Sequence, residues 1–418
     1  MRILIVTPTS VDHMEVGGGV AVTYFQLEKQ LKEQGHEVEV LSSWNKSMDT
    51  FSPYIYPKFK VCSASQRNYS KLRYEIGKAD RVILSDEYLA FLVILECVAQ
   101  GKPLFYGLHT DVCAFFESYL SSNFTLGLSQ VIFTCIYKLV GLSGNHLFTT
   151  SKSFSQKLKE SYGVSSKVIN QSFKEQVFLE HDPIEDVKTI RTKYLSTSKE
   201  HKSLILYAGR FSKEKRIPLL VSAKPKDSVL LIIGDGPDRD NIQNFENGKD
   251  VRIICRMIKP HELRLFYKAA DLFVSASNFE TYGMTCHEAL VCKTPVVVED
   301  AQGYRSQVHN GDNGYLTKFE NTDVAKSTIL NAIASRSILN PRVTCKSGVN
   351  IVQMIVSSEI KGSFWISHLF GRIILTFVSP VILLVLSWFE FCVNTKTHEL
   401  KRNGKTTMIC ETCVDALV

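Results

Sequence analysis

Short apolar runs bounded by polar or turn-forming residues recur along the chain and alternate with segments whose apolar positions return every three or four residues. In the first half, RILIVTP, HEVEVLSS, RVILSD, PLFYGLHT, HLFTTS and KVINQS read as strands, and VAVTYFQLEKQLKEQG as the helix after the first. A polar, charged segment from His181 to Lys202 follows and reads as a helix-bearing connector. The alternation then restarts with SLILYAGR, SVLLIIGDG, VRIIC, DLFVSAS and TPVVVED as strands, and with HELRLFYKAA and a segment from Gly283 as helices. This predicts an α/β protein of two Rossmann-like domains, 1–185 and 186–340, with ligands held where the strand C-termini face a central cleft.

Past Asn340 the pattern changes, and 341–418 stands as a separate C-terminal region. From Ile373 to Phe389 no residue is charged, and a helix of that length spans roughly 25 Å against the ~30 Å of a hydrocarbon core. Arg372 and the lysines after 395 can snorkel, and Trp365 and Trp388 suit the interfaces. The expectation is an apolar helix over 373–393 that spans or inserts into a membrane, with the other domains on the cytosolic side; a helix packed on those domains is the alternative. The aromatic, weakly charged stretch Asp111 to Leu142 reads either as a core helix with a loop or as a surface that dips into a bilayer.

Composition narrows the function. The chain has 418 residues, 44% of them hydrophobic, enough for two cores. Its net charge of +7 is dispersed among 42 acidic residues, which argues against a nucleic-acid partner and allows an anionic ligand or membrane surface. The 11 cysteines are irregularly spaced and MRILIVTPTS lacks a secretory layout, so a reduced, cytosolic setting is expected. Cys410 and Cys413 form a CxxC with no second pair to complete a zinc set, and the glycosylation patterns at Asn45 and Asn68 read as chance matches.

Candidate chemistry lies at strand ends. Gly17, Gly18 and Gly19 follow the first strand and open a helix, where backbone N–H groups can approach negative charge. They do not form GxGxxG, and no acid ends the second strand, so a dinucleotide site is not indicated. GRFSKEK places Arg210 and Lys215 after the strand LILYA, where two cations suit a diphosphate leaving group. IIGDGP is another strand that ends in glycines. In NFETYGMTCHEAL, Glu280 sits in the loop after DLFVSAS and Glu288 lies within the next helix, whose first N–H groups can hold phosphate or sugar hydroxyls. Taken singly, these residues also fit a solvated loop, a capping acid and a helix-surface glutamate.

Together, GRxxxEK, GDGP, AADLFVSAS, two glutamates with seven residues between them and PVVV resemble the retaining glycosyltransferases of family 4, over about residues 1 to 335. His109 and Thr110, within HTDVCAFFESY, look most like the glycolipid-forming branch, which includes sulfoquinovosyl-diacylglycerol synthases and diacylglycerol mannosyltransferases. The resemblance implies the GT-B fold and a nucleotide diphosphate sugar, with UDP or GDP as nucleotide, as donor. It implies that Arg210 and Lys215 grip the diphosphate, Glu288 the ribose, and Glu280 the donor sugar, helped by the N–H groups of Tyr282, Gly283 and Met284. Gly18 and Gly19 would approach the phosphates, and His109 would face the oxocarbenium-like transition state. Retention would follow front-side attack, in which the departing phosphate oxygen takes the acceptor's proton, so paired glycosidase carboxylates are not needed.

The acceptor implied is a membrane lipid such as diacylglycerol; a glycan or protein acceptor and a non-catalytic nucleotide-sugar-binding homologue are the alternatives. With no Asp-x-Asp at a cleft-facing strand end, neither an obligatory metal nor another cofactor is expected. Several positions depart from the family pattern: Cys255, Ala276 and Lys293 stand where glycine, proline and glycine are usual. Only Gly303 of a glycine pair remains in AQGYRSQV, and Ser172 and Lys174 replace a glycine and an aspartate.

Overall fold

The computed structural model describes residues 1–7, 18–42, 66–85, 90–109, 111, 134, 137–138, 140, 146–169, 175–195, 203–343 and 348–358. Gly17, Asn45, Thr110, most of 111–142, Ser172, Lys174, the apolar stretch 373–393 and Cys410 with Cys413 lie outside the described residues. Among the described residues, no helix is long and apolar enough to cross a membrane.

The chain divides into two units, one of residues 1–149, 155–169 and 349 onward, the other of 150–154 and 170–348. In the first, strands β1 (Arg2–Thr7), β2 (Glu37–Ser42), β3 (Arg81–Ser85), β4 (Leu104–Leu108), β5 (His146–Thr149) and β6 (Lys167–Val168) form a parallel sheet in the order β2-β1-β3-β4-β5-β6. β3 and β4 are buried along their whole length, as parallel strands covered on both faces must be, which is why they read as unbroken apolar runs. The helix Gly18–Glu33 places Tyr24, Leu27 and Leu31 on one stripe, and these pack on Ile3, Ile5, Ile83, Phe105 and Phe148 of the sheet.

The division differs from the boundaries expected at 185 and 340. Ile169 pairs with Val349 in a parallel bridge, and the Val349 N–H donates to the Val168 carbonyl at 2.8 Å. The chain thereby returns to the first unit, and the helix Ile351–Ser357 buries Ile351, Val352, Met354 and Ile355 in that unit's core. At roughly 1.5–3 kcal/mol for each fully buried aliphatic side chain, this short helix is held firmly by packing.

The second unit contains β7 (Ser203–Ala208), β8 (Ser228–Gly234), β9 (Val251–Cys255), β10 (Leu272–Ser275), β11 (Val296–Glu299) and β12 (Gly314–Thr317) in the order β12-β11-β10-β7-β8-β9, again all parallel. The segment read as a connector is part of this unit. Val187, Ile190 and Tyr194 of its helix Ile184–Leu195 recur at helical spacing and pack on the core that holds Leu204, Leu206 and Phe273. Arg191 fixes it further, donating to the Ala269 carbonyl at 2.9 Å and pairing with the buried Asp271 at 2.7 Å. Chain order reverses at the β7/β10 neighbours, where Ile205 and Leu206 lie in register with Leu272 and Phe273. In an open parallel sheet, the loops after two such strands diverge and leave a crevice at their C-terminal ends.

Candidate active site

The crevice of the second unit is lined by the segments that the sequence singled out. After β7 the chain runs through Gly209, Arg210, Phe211 and Ser212 into a single 3-10 turn, Lys213–Lys215. After β10 it runs through Ala276 to Gly283 into the helix Met284–Val291. The two loops meet in an ion pair between Lys215 Nζ and Glu280 Oε1, with Ser277 Oγ 3.5 Å from the same ammonium. Both side chains remain partly open, at 22% and 18% exposure. Burial alone would lower the Lys215 pKa, but the carboxylates of Glu280 and Glu214 outweigh it and raise the pKa above the ordinary lysine value. The ammonium is therefore charged throughout the physiological range.

Neighbouring groups hold this pair in place. Arg216, in a left-handed conformation at φ 47°, donates through Nε to the Ala276 carbonyl at 2.8 Å and pairs with Glu299 at 2.6 Å and Glu320 at 2.9 Å. It thus ties the Lys215 turn to the end of β10 and to β11. The Tyr207 hydroxyl donates to the Arg210 carbonyl at 3.0 Å. The glycines of IIGDGP serve packing: a Cβ on Gly234 would lie 1.8 Å from the Gly209 carbonyl oxygen, and one on Gly236 would lie 2.0 Å from that of Phe211. Hydrogen bonds of 3.0 Å from the Gly209 N–H to Ile233 and from the Phe211 N–H to Asp235 lock the two loops together.

The Glu280 loop rests on the segment Gly303 to Gln307. The Gly303 N–H donates to the Glu280 carbonyl at 2.8 Å, and a Cβ there would lie 2.6 Å from that oxygen. Gly283 takes φ 85°, and its missing Cβ makes room for the Tyr304 ring, whose hydroxyl donates to Ser275 at 2.8 Å. Met284 is the first residue of the helix. The Tyr282 hydroxyl meets His287 Nδ1 at 2.9 Å. Glu288 is 7% exposed and accepts a 2.9 Å hydrogen bond from the buried Tyr267 hydroxyl. Glu288 is thus held from within the unit, and nothing in the sequence marked Tyr267 as its partner.

In the first unit, Gly18 and Gly19 form the first turn of the helix after β1. His109 follows β4, is 7% exposed, and has Nε2 3.0 Å from the Tyr24 hydroxyl, with the Phe148 ring edge-on at 6.0 Å. Gly107 makes this possible, since a Cβ there would lie 2.4 Å from the Tyr24 hydroxyl. Burial pushes the His109 pKa down to about 4, so the ring is neutral at neutral pH.

Sequence reasoning missed Arg216, Ser277, Tyr267 and Gln307. Arg216 stands directly after Lys215 and outside GRFSKEK; only the backbone turn reveals that it points inward.

Comparison with known proteins agrees with this geometry. A family model described as "Glycosyltransferase Family 4" matches residues 17–170, and one described as "Glycosyl transferases group 1" matches residues 190–346. An alpha-monoglucosyldiacylglycerol synthase of Streptococcus pneumoniae is 29% identical over 67% of this chain and 67% of its own. One of the same name from Acholeplasma laidlawii is 24% identical over 74% of this chain and 84% of its own. Among solved structures, Anabaena HepE in complex with UDP and glucose is 17% identical and superimposes with a TM-score of 0.60, covering 90% of this chain and 99% of its own. That likeness identifies the fold as GT-B, and with a glycosyltransferase model on each half, the chain belongs to the glycosyltransferases; the two relatives named are glycolipid synthases.

Proposed function

We propose that this protein transfers a hexose, glucose in the first instance, from a nucleotide diphosphate sugar to diacylglycerol or a closely related membrane lipid, with retention of configuration. The observation that carries the reading is the Lys215–Glu280 pair at the C-terminal ends of β7 and β10, the topological switch point of the second unit. A permanently charged ammonium there would stabilise the departing diphosphate, and the adjacent carboxylate would accept hydrogen bonds from sugar hydroxyls. Arg210, on the same loop, would share the diphosphate charge, so the reading calls on no metal for that task. Glu288 would take the ribose.

The relatives' names support glucose and a lipid acceptor, and refine the sulfoquinovosyl or mannosyl transfer suggested by the sequence. Those names specify an alpha product, and nucleotide-bound glucose is itself alpha-linked, so retention follows if this chain makes the same linkage. The apolar stretches 111–142 and 373–393 would serve membrane association, with the second unit on the cytosolic side where sugar nucleotides are found. A soluble glycan acceptor is the second reading, and the acceptor decides between them.

The test is to incubate the full chain with UDP- and GDP-sugars and vesicles containing diacylglycerol, and to look for a new glycolipid by mass spectrometry. A glucosyl lipid formed only with one donor supports the reading. Transfer to a soluble glycan but to no lipid refutes the acceptor, and donor binding without any transfer refutes the activity.

A further inference from the structure

Among the described residues, Lys293 and Arg216 take a left-handed backbone without being glycine. Lys293 ends a helix with its side chain exposed, whereas the Arg216 side chain is 16% exposed and reaches back across the site. A residue with a Cβ meets a steric penalty in that conformation and keeps it only where its surroundings hold it there.

For Arg216 the holding contacts are made by its own side chain. Nε donates to the Ala276 carbonyl at 2.8 Å, and Nη2 lies 2.6 Å from Glu299 Oε2. Both anchors are fixed. Ala276 is fully buried just past β10, and Glu299, 7% exposed, accepts a 3.0 Å hydrogen bond from the N–H of the fully buried Phe319. A third contact, from Nη1 to Glu320 at 2.9 Å, ends on a carboxylate that is 76% exposed and adds little.

The consequence falls on Lys215, one peptide unit before Arg216. The Arg216 N–H closes the Lys213–Lys215 turn on the Lys213 carbonyl at 3.0 Å, and its φ of 47° and ψ of 39° set the direction in which that turn leaves it. The same side chain pins Ala276, which stands one residue before Ser277 and four before Glu280. One guanidinium therefore ties together the loops that carry the two halves of the Lys215–Glu280 pair. Glu280 and Ser277 engage at most two of the three ammonium protons, which leaves one for a phosphate oxygen.

We propose that Arg216 is a positioning residue: it holds the Lys215 ammonium in the place and direction at which it meets the donor diphosphate. This rests on the donor-site reading above and adds the side chain that sets its principal cation.

The experiment measures the affinity of the full-length protein for UDP and for GDP by calorimetry, in wild type, Arg216→Gly, Lys215→Ala and the double variant. Glycine suits the left-handed turn, so Arg216→Gly removes the side-chain anchors without straining the backbone. It should weaken binding of the nucleoside diphosphate roughly tenfold, as for a charge-assisted contact put out of line. In the Lys215→Ala protein the same change should cost less than about twofold, because the group it acts through is gone. Glu299→Gln, which keeps the shape and removes the charge beside Nη2, should weaken binding in the same direction and add little to Arg216→Gly.

A purely structural role gives another pattern, in which Arg216→Gly lowers affinity by the same factor in wild type and in Lys215→Ala. That result, or wild-type affinity in Arg216→Gly, overturns the proposal. Failure of the donor-site reading looks different: wild type then binds neither UDP nor GDP, or Lys215→Ala binds as tightly as wild type.

Discussion

Lowering the pH from about 7 to about 5 should destabilise the first unit through His109. The ring is 7% exposed, enclosed by Tyr24 and Phe148, and its pKa is pushed by burial from 6.5 down to about 4. In the unfolded chain the same ring titrates near its ordinary value. Between the two values the unfolded state holds a proton that the folded state does not. Stability is thus complete above pH 6.5 and falls as the pH drops towards 4. With those endpoints, linkage gives a loss of about 2 kcal/mol between pH 7 and pH 5, and about 3 kcal/mol once both forms are protonated.

Urea unfolding followed by far-ultraviolet circular dichroism near pH 7 and near pH 5 measures this directly, in wild type and in His109→Gln. The glutamine can still meet the Tyr24 hydroxyl but does not titrate. His146, whose pKa is also lowered, chiefly by burial and then by Lys167 and Arg81, adds its slope to both proteins and cancels in the difference. The wild type should lose about 2 kcal/mol more than the variant on acidification. Equal losses, within about 0.5 kcal/mol, would show that His109 is hydrated or protonated in the folded protein.

Other outcomes follow from the second unit. Lys215→Ala should reduce turnover by roughly 10²- to 10³-fold through lost leaving-group stabilisation; steady-state kinetics near wild type would refute the diphosphate assignment. Gly236→Ala places a methyl group 2.0 Å from the Phe211 carbonyl oxygen and should displace the Arg210 loop, lowering kcat/KM for the donor while the melting temperature of the chain falls. Lys293 ends the helix Met284–Val291 in a left-handed conformation at φ 64°, with the Thr294 N–H bonded to Ala289 at 2.9 Å and its own N–H bonded to Leu290 at 3.1 Å. Its side chain is exposed. Lys293→Gly should therefore stabilise the protein by about 0.5–1 kcal/mol in urea titrations, and Lys293→Val should destabilise it by at least as much.

The parts of the fold visible in the sequence were those that announce themselves by period. Strands buried on both faces leave unbroken apolar runs, and β3, β4, β7, β8 and β11 all lie where those runs stand. What periodicity does not carry is which sheet an element joins. The helix Ile351–Ser357 has an apolar face like any other, and its assignment to the first unit follows from the backbone bridge between Ile169 and Val349 and from its packing in that unit's core. The charged segment after His181 was read as a connector because its polar residues dominate the count, although Val187, Ile190 and Tyr194 already marked a buried stripe. In the candidate site, charge made Lys215 and Glu280 legible, because ionisable groups at strand ends are costly to place without a partner.

The glycines taught a different lesson. Read along the chain, a glycine beside a strand end signals close approach of a ligand, and Gly234 and Gly236 invited that reading. Space decides otherwise for them: the neighbour that approaches too closely for a Cβ is the backbone of the Arg210 loop. Gly283 and Gly303 likewise yield their Cβ positions to Tyr304 and to the Glu280 carbonyl. These glycines place the charged groups of the site by bringing backbone against backbone. Polar atoms packed so closely need partners, and Gly303 N–H, Tyr304 Oη and the Gln307 amide supply them. A substitution at any of the four should therefore act on the loops before it acts on the ligand. Side chains such as Gln307, silent in the sequence, follow from the same constraint, because a loop pinned through its carbonyls has its N–H groups turned outward.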